Sequence, residues 1–233
     1  MAHDDADVRR AVIEASRVLA VAGQADLIWG HAAVRDPGGR GIWMKAAGWG
    51  FDEVDEGRVV LVSPAGDVLS GSGGRHLEYP IHSQVMAARP DVTCVVHTHA
   101  EQSVAFAALD VPLRPVSHEG ALFVPPGLAR FTVTSGLIRT PQLGDELARA
   151  LGQRNAVLLP GHGVVTVGAD VPTAVVTAVL LDRACRLQLA VEAAGGAQTW
   201  TSDAEAEAKR QECWPREQLH AAWSYLRRKA LPS

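Results

Sequence analysis

Hydrophobic and polar positions recur along this chain with two periods, and the period switches repeatedly. Over residues 5–22, Val8, Ala11, Val12, Ala15, Val18, Leu19 and Ala22 fall at helical spacing, and Gly23 supplies a C-terminal stop. The pattern then shortens. Ala33 and Arg35 alternate as in a strand, Asp36-Pro37-Gly38-Gly39 reads as a turn, and residues 41–47 read as the hairpin partner. Residues 59–70 form a second hairpin around Pro64-Ala65-Gly66-Asp67. A helix is predicted over 77–89, with Pro80 in its first turn and Ile81, Val85, Met86 and Ala88 toward the core. The mostly apolar, β-branched run from Val92 to Val96, closed by His97-Thr98-His99, is the signature of a buried strand.

Further along, the pattern predicts a short helix over 100–109, a strand over 112–116, a helix over 141–152 and strands over 156–159 and 164–167. Asp170 caps a long helix reaching about Ala193. Its apolar residues, among them Val175, Val176, Val179, Leu180, Leu187 and Val191, wrap more than one stripe, so it is buried on two sides. Residues 199–233 are amphipathic and read as two packing helices carrying Trp200, Trp214, Trp223 and Tyr225; the alternative is a lid bringing Trp223 or Tyr225 toward a neighbouring site. The interleaving of strands and helices makes this an α/β fold. It is expected to form a single domain over 1–233, with 199–233 as a C-terminal helical extension.

Composition narrows the function classes. At 233 residues with 47% hydrophobic content, the chain can bury one full core. The net charge is −4, and Lys and Arg are scattered apart from Arg227-Arg228-Lys229, which argues against a nucleic-acid surface. With no apolar run near ~20 residues and no cleavable signal, the expectation is a soluble, cytoplasmic protein without a membrane partner. Cys94, Cys185 and Cys213 are widely spaced and odd in number, as reduced thiols would be.

The candidate chemistry gathers at the strand ending in His97 and His99. Side chains alternate along a strand, so these two rings share a face and can bind one metal ion. Ordinary core or surface histidines would give the same spacing. Two further features weigh on the choice: Glu78 opens the preceding helical segment, and Pro160-Gly161-His162-Gly163 sits between two apolar runs. A histidine between glycines at a strand junction is poorly placed as core filler, because the glycines allow a sharp turn and a close approach. Three imidazoles and a carboxylate suit an open catalytic metal site.

The order of these parts resembles the class II aldolase/adducin family: Glu78, a helix ending in Arg89-Pro90-Asp91, a strand ending in His97-Thr98-His99, then a distant Gly161-His162-Gly163. The resemblance runs from about residue 8 to about residue 195. It implies a three-layer αβα fold with a central, mostly antiparallel sheet. It also implies that His97, His99 and His162 bind one divalent metal ion per subunit, with Glu78 as acid/base or extra ligand. The family's cyclic tetramers imply a homotetramer with sites at subunit boundaries. Zinc suits three histidines, as do cobalt, manganese and iron.

Departures from the family pattern bear on the substrate. In sugar-phosphate members a Gly-Asn pair stands where this chain has Gly30-His31, a Thr/Ser-rich turn stands where it has Lys45 to Gly48, and serines are frequent at His76 and Leu77. The phosphate cradle is thus altered at three points. An imidazole and an ammonium suit a carboxylate, so His31, Lys45, Gly48, Arg75 and His76 are the candidate substrate contacts. His118, in a loop after a predicted strand, is a further one. The leading expectation is decarboxylation of a hydroxylated, aromatic carboxylic acid through a metal-stabilised, enolate-like intermediate, with a raised Glu78 pKa serving proton transfer. The alternative is an aldolase acting on a non-phosphorylated hydroxy-carbonyl compound. Readings from other classes are an iron-dependent oxygenase and a non-catalytic interaction module like adducin's head domain.

Overall fold

The computed structural model describes residues 2–231, so Met1, Pro232 and Ser233 of the expected domain and C-terminal extension lie outside the described residues. The first helix, α1 (Ala2–Val21), leads to strands β1 (His31–Arg35), β2 (Ile42–Lys45), β3 (Val59–Val62) and β4 (Val68–Ser70). Then come α2 (Tyr79–Ala88), β5 (Cys94–Thr98), α3 (Glu101–Ala107), β6 (Ala129–Arg130) and α4 (Pro141–Leu151). The chain continues through β7 (Ala156–Leu159), β8 (Gly163–Gly168), α5 (Val171–Ala193), α6 (Asp203–Cys213) and α7 (Arg216–Ala230).

The strands form one sheet in the order β4-β3-β2-β1-β5-β8-β7-β6. Every neighbouring pair is antiparallel except β6 and β7, which run parallel. The period-two rule divides the core. Val34, Trp43, Leu61 and Val96 face one side, where α1, α3, α5 and α7 supply Leu19, Phe106, Leu181 and Trp223. Ala33, Met44, Val60 and Val95 face the other side, where α2 and α4 supply Ile81 and Leu147. Helices thus cover both faces, and the expected three-layer αβα arrangement is the one observed. Double coverage also explains why β3, β5 and β7 read as continuous apolar runs, since neither face meets water.

Local signals held where a side chain could replace a missing backbone partner. Asp170 Oδ1 accepts the Thr173 N–H at 2.9 Å and starts α5. Around Pro64–Asp67, Ser63 N–H donates to the Asp67 carbonyl at 2.8 Å. Helix α5 lies centrally within the subunit, packed on β8, α1, α3 and α7. Helix α7 buries Leu219 and Trp223 in the main core, whereas Tyr225 is exposed.

Two local expectations are corrected, and one short strand was not foreseen. Residues 112–116 form no strand: Pro112 and Pro115 lack N–H groups, and Gln188 of α5 takes the place of a strand partner, accepting the Arg114 N–H at 2.7 Å and donating to the Pro112 carbonyl at 2.9 Å. Ala88 is exposed at the end of α2. The two-residue β6 carries too short a pattern to be read. Among the described residues no helix is long and apolar enough to cross a membrane.

Candidate metal centre

The centre forms where β1, β5 and β8 run side by side. Register places His97 of β5 opposite His31 of β1 and opposite Val165 of β8. His99 follows just past the end of β5, and His162 sits in the tight turn joining β7 to β8, its N–H donating to the Leu159 carbonyl at 3.0 Å. Glu78 occupies the N-cap position of α2. The ligand atoms of Glu78, His97, His99 and His162 all lie within 4.8 Å of one another. Glu78 Oε2 is 3.7 Å from His97 Nε2, and its Oε1 is 3.5 Å from His162 Nε2.

Gly163 makes this convergence possible. A Cβ there would sit 2.6 Å from the Thr98 carbonyl oxygen, 2.8 Å from His99 Cδ2 and 3.2 Å from His97 Cε1. Only glycine lets β8 pass this close to the two rings.

The hydrogen bonds set which nitrogen of each ring faces inward. His97 Nδ1 donates to the Val164 carbonyl at 3.0 Å, and His99 Nδ1 donates to Asp26 Oδ2 at 2.9 Å. Each ring therefore turns a bare Nε2 lone pair into the site. Both nitrogens of His162 are buried without a hydrogen-bond partner. Lone pairs converging beside a carboxylate are what a divalent cation requires, so the donor set fits a metal ion. Nothing in the geometry selects one metal over another.

Electrostatics corrects one expectation. Burial pushes Glu78 upward, as the sequence reading anticipated. It is outweighed by the His162 and His97 rings beside the carboxylate and by the Ile138 N–H, which donates to Glu78 Oε1; together they hold the carboxyl down at about 2. Burial also depresses His97 to about 3, keeping that ring neutral and its lone pair available.

A cleft of about 250 Å³ opens beside the four donors, with Glu78 and His99 in its wall. Its other walls are Ile28, Trp29 and Leu137 on the apolar side and Gly48, Arg75, Leu77, His31 and His76. Of the substrate contacts expected from sequence, His31, Gly48, Arg75 and His76 thus border the cleft. Arg75 is partly committed, since Nε donates to the Gly66 carbonyl and its guanidinium stacks 4.4 Å from the Tyr79 ring.

Lys45 and His118 are not where the sequence put them. Lys45 is fully buried, and its ammonium donates to the Ile28 carbonyl at 2.8 Å and the Trp49 carbonyl at 2.5 Å. It staples together two loops that line the cleft instead of facing a ligand. Burial lowers its pKa to about 8. His118 packs on the C-terminal helices, with Nδ1 3.5 Å from Cys213 Sγ and its carbonyl accepting the Trp214 Nε1–H at 2.7 Å.

One neighbour of the cluster escaped sequence reading, and a second was marked only by helical periodicity. Asp26, which orients His99, is one acid in a loop with no spacing to mark it. His82 lies on α2 four residues after Glu78, and helical periodicity alone marked it as a neighbour. Its Nε2 is 2.6 Å from His31 Nδ1.

Fold and donor set together define a three-layer α/β protein with a candidate divalent-metal centre at the ends of its central strands. The family described as class II aldolase and adducin N-terminal domain matches the chain over residues 10–189, and the protein belongs to this class II aldolase/adducin family. A protein of Arthrobacter keyseri named 3,4-dihydroxyphthalate decarboxylase is 34% identical over 205 residues, covering 82% of each chain. Among solved structures, an aldolase II superfamily protein from Pseudomonas syringae aligns with a TM-score of 0.86 at 27% identity, covering 96% of this chain and 92% of its own. L-fuculose 1-phosphate aldolase from Glaciozyma antarctica aligns with a TM-score of 0.83 at 25% identity, covering 96% and 88% respectively.

Proposed function

We propose that this protein is a divalent-metal-dependent carbon–carbon lyase, and specifically a decarboxylase of a hydroxylated aromatic carboxylic acid. The observation that carries the reading is the composition of the cleft beside Glu78. Its walls are apolar and imidazole-bearing, lined by Trp29, Ile28 and Leu137 together with His31 and His76, where small hydroxyl donors would be needed to hold a phosphate. The apolar residues suit an aromatic ring, and the imidazoles suit its anionic oxygens. The resemblance to 3,4-dihydroxyphthalate decarboxylase supports the same substrate class.

In this reading His97, His99 and His162 hold the ion, zinc first and cobalt, manganese or iron as alternatives. When bound, a divalent ion draws negative charge away from the carbon that loses its substituent. The chain's own groups do the rest. His31 and His76 orient the substrate's carboxylate or phenolic oxygen. Trp29 and Leu137 exclude water from the ring. Glu78, held ionised, first accepts the proton of the substrate hydroxyl. It then returns that proton to the carbon as the bond to the departing carbon dioxide breaks, leaving the product as its phenolate, which takes up one proton from solvent on release. The exposed Trp29, Leu77 and Leu137 at the cleft fit closure by a neighbouring subunit of a homotetramer.

Carbon dioxide release from 3,4-dihydroxyphthalate, hydroxyphthalates and hydroxybenzoates tests the reading, with Glu78→Gln as the inactive control. Turnover of none of these acids, alongside cleavage of a hydroxy-oxoacid to an aldehyde, would move the protein to the aldolases. Light scattering of the same preparation checks the tetramer.

A further inference from the structure

His82 takes no part in the four-donor set, yet it is fully buried on α2 one turn beyond Glu78. Its Nε2 lies 2.6 Å from His31 Nδ1. Its own Nδ1 makes no hydrogen bond of good geometry, although the Val95 backbone lies near it. A core position is filled at lower cost by leucine or methionine, because an imidazole nitrogen short of a partner is penalised in the interior. The nitrogen that is paired is therefore the one with a task.

That task concerns His31, which borders the cleft and whose Nδ1 is the atom that meets His82. His31 is held among three rings, with centroids 4.4 Å from His76, 4.8 Å from His82 and 5.0 Å from His97. Of these only His82 is hydrogen-bonded to it. Burial keeps both His31 and His82 neutral. Two neutral imidazoles in this contact share one proton. Either His31 donates from Nδ1 and offers a bare Nε2 to the cleft, or His82 donates from Nε2 and His31 offers an N–H. The state of His82 thus determines what His31 presents, and the same contact fixes the rotation of the His31 ring.

We propose that His82 is a positioning residue of the cleft, holding His31 in one tautomer and one orientation toward the substrate's anionic or phenolic oxygen. The identity of that oxygen rests on the functional reading above; the coupling of the two rings does not. Because α2 carries both Glu78 and His82, one helix sets the proton-handling carboxylate and the substrate-orienting imidazole together.

The test uses metal-loaded, full-length protein with 15N-labelled histidine, the His31 signals being assigned by their loss in His31→Gln. Long-range proton–nitrogen correlations should show a single His31 tautomer in the wild type and a mixture in His82→Phe, which keeps an aromatic ring but no nitrogen. Metal content should be unchanged, and kcat/KM on 3,4-dihydroxyphthalate should fall on the order of tenfold to a hundredfold. His82→Gln, which restores a hydrogen-bonding group, should recover part of the loss; if His82→Phe fails to fold, His82→Met, which carries no ring nitrogen, is read in its place, with unchanged His31 signals and turnover overturning the proposal. A folded His82→Phe with wild-type His31 signals and turnover within about twofold of wild type would overturn it as well. A wild type inactive on that substrate would remove the functional reading, while the tautomer signals would still decide the role of His82.

Discussion

The Nε2 atoms of His97 and His99 face one another across 3.1 Å, and neither has a proton to give. Each ring spends its N–H on the far side, His97 on the Val164 carbonyl and His99 on Asp26. Two lone pairs at that separation repel unless positive charge lies between them. Metal analysis of protein purified without chelator should therefore find a divalent ion. His97→Ala, His99→Ala and His162→Ala should each lose it along with turnover. Any one of them that retained both metal and activity would show that the donors are misassigned.

Asp26 meets the candidate metal centre through its hydrogen bond to His99. Asp26→Ala leaves the four donors in place but frees the His99 ring to rotate and change tautomer. Removing such an orienting carboxylate weakens metal affinity roughly 10–100-fold. Competition with a chromogenic chelator measures this, and an unchanged affinity would mean that the ring is fixed by packing alone.

Gly163 separates space from chemistry. Gly163→Ala adds one methyl group against the Thr98 carbonyl and both ring edges. Overpacking of this kind costs about 1–3 kcal/mol. A lowered melting temperature and reduced metal content should appear together, because the displaced atoms belong to the ligands themselves.

Stability should fall steeply on acidification of metal-free protein. Burial lowers His82 and His97 from 6.5 to about 3, so on unfolding below pH 6.5 these rings take up protons that the folded state excludes. Their contribution is full above about pH 6.5 and drains away as pH falls toward 3, by up to about 1.4 kcal/mol per pH unit for each ring. Glu78, lowered from 4.5 to about 2, acts in the same sense at lower pH: its stabilisation is present above 4.5 and lost below. Urea midpoints at a series of pH values from 7 to about 4 give the slope, and a flat profile would mean that the rings are charged in the folded state.

Lys45→Met separates a stapling role from substrate contact. Removing the ammonium leaves the Ile28 and Trp49 carbonyls without their donor, at about 1–3 kcal/mol for each one left buried and unpaired. The expected outcome is a lower melting temperature with a loosened cleft. A raised KM with unchanged melting temperature would instead restore Lys45 as a direct contact for the carboxylate.

Much of the fold was legible because its signals are local. Helices α1 and α5 announce themselves by periodicity and by Gly23 and Asp170 at their ends, and the hairpins by their turn residues. The failures share one cause. At residues 112–116 a run that reads as extended is satisfied by Gln188, 76 residues away from Pro112 in the chain, and no local pattern encodes that partner. Lys45 and His118 were assigned to substrate from type and neighbourhood, but a long side chain can turn to whichever carbonyl lies in reach. The Glu78 carboxyl was expected to be raised because burial was foreseeable, whereas the Ile138 N–H, 60 residues further on, was not.

The sequence by itself determined the shared face of His97 and His99, because alternation along a strand is a property of the backbone. It also placed imidazoles, His31 and His76, at two of the residues that border the cleft. Tertiary structure alone decided that Glu78 and His162 meet those rings, that Asp26 and Val164 aim their lone pairs inward, and that His82 grips His31. Each of these depends on strand order and helix placement, which bring remote segments within hydrogen-bonding distance, and distance in space is not written in any local pattern of residues.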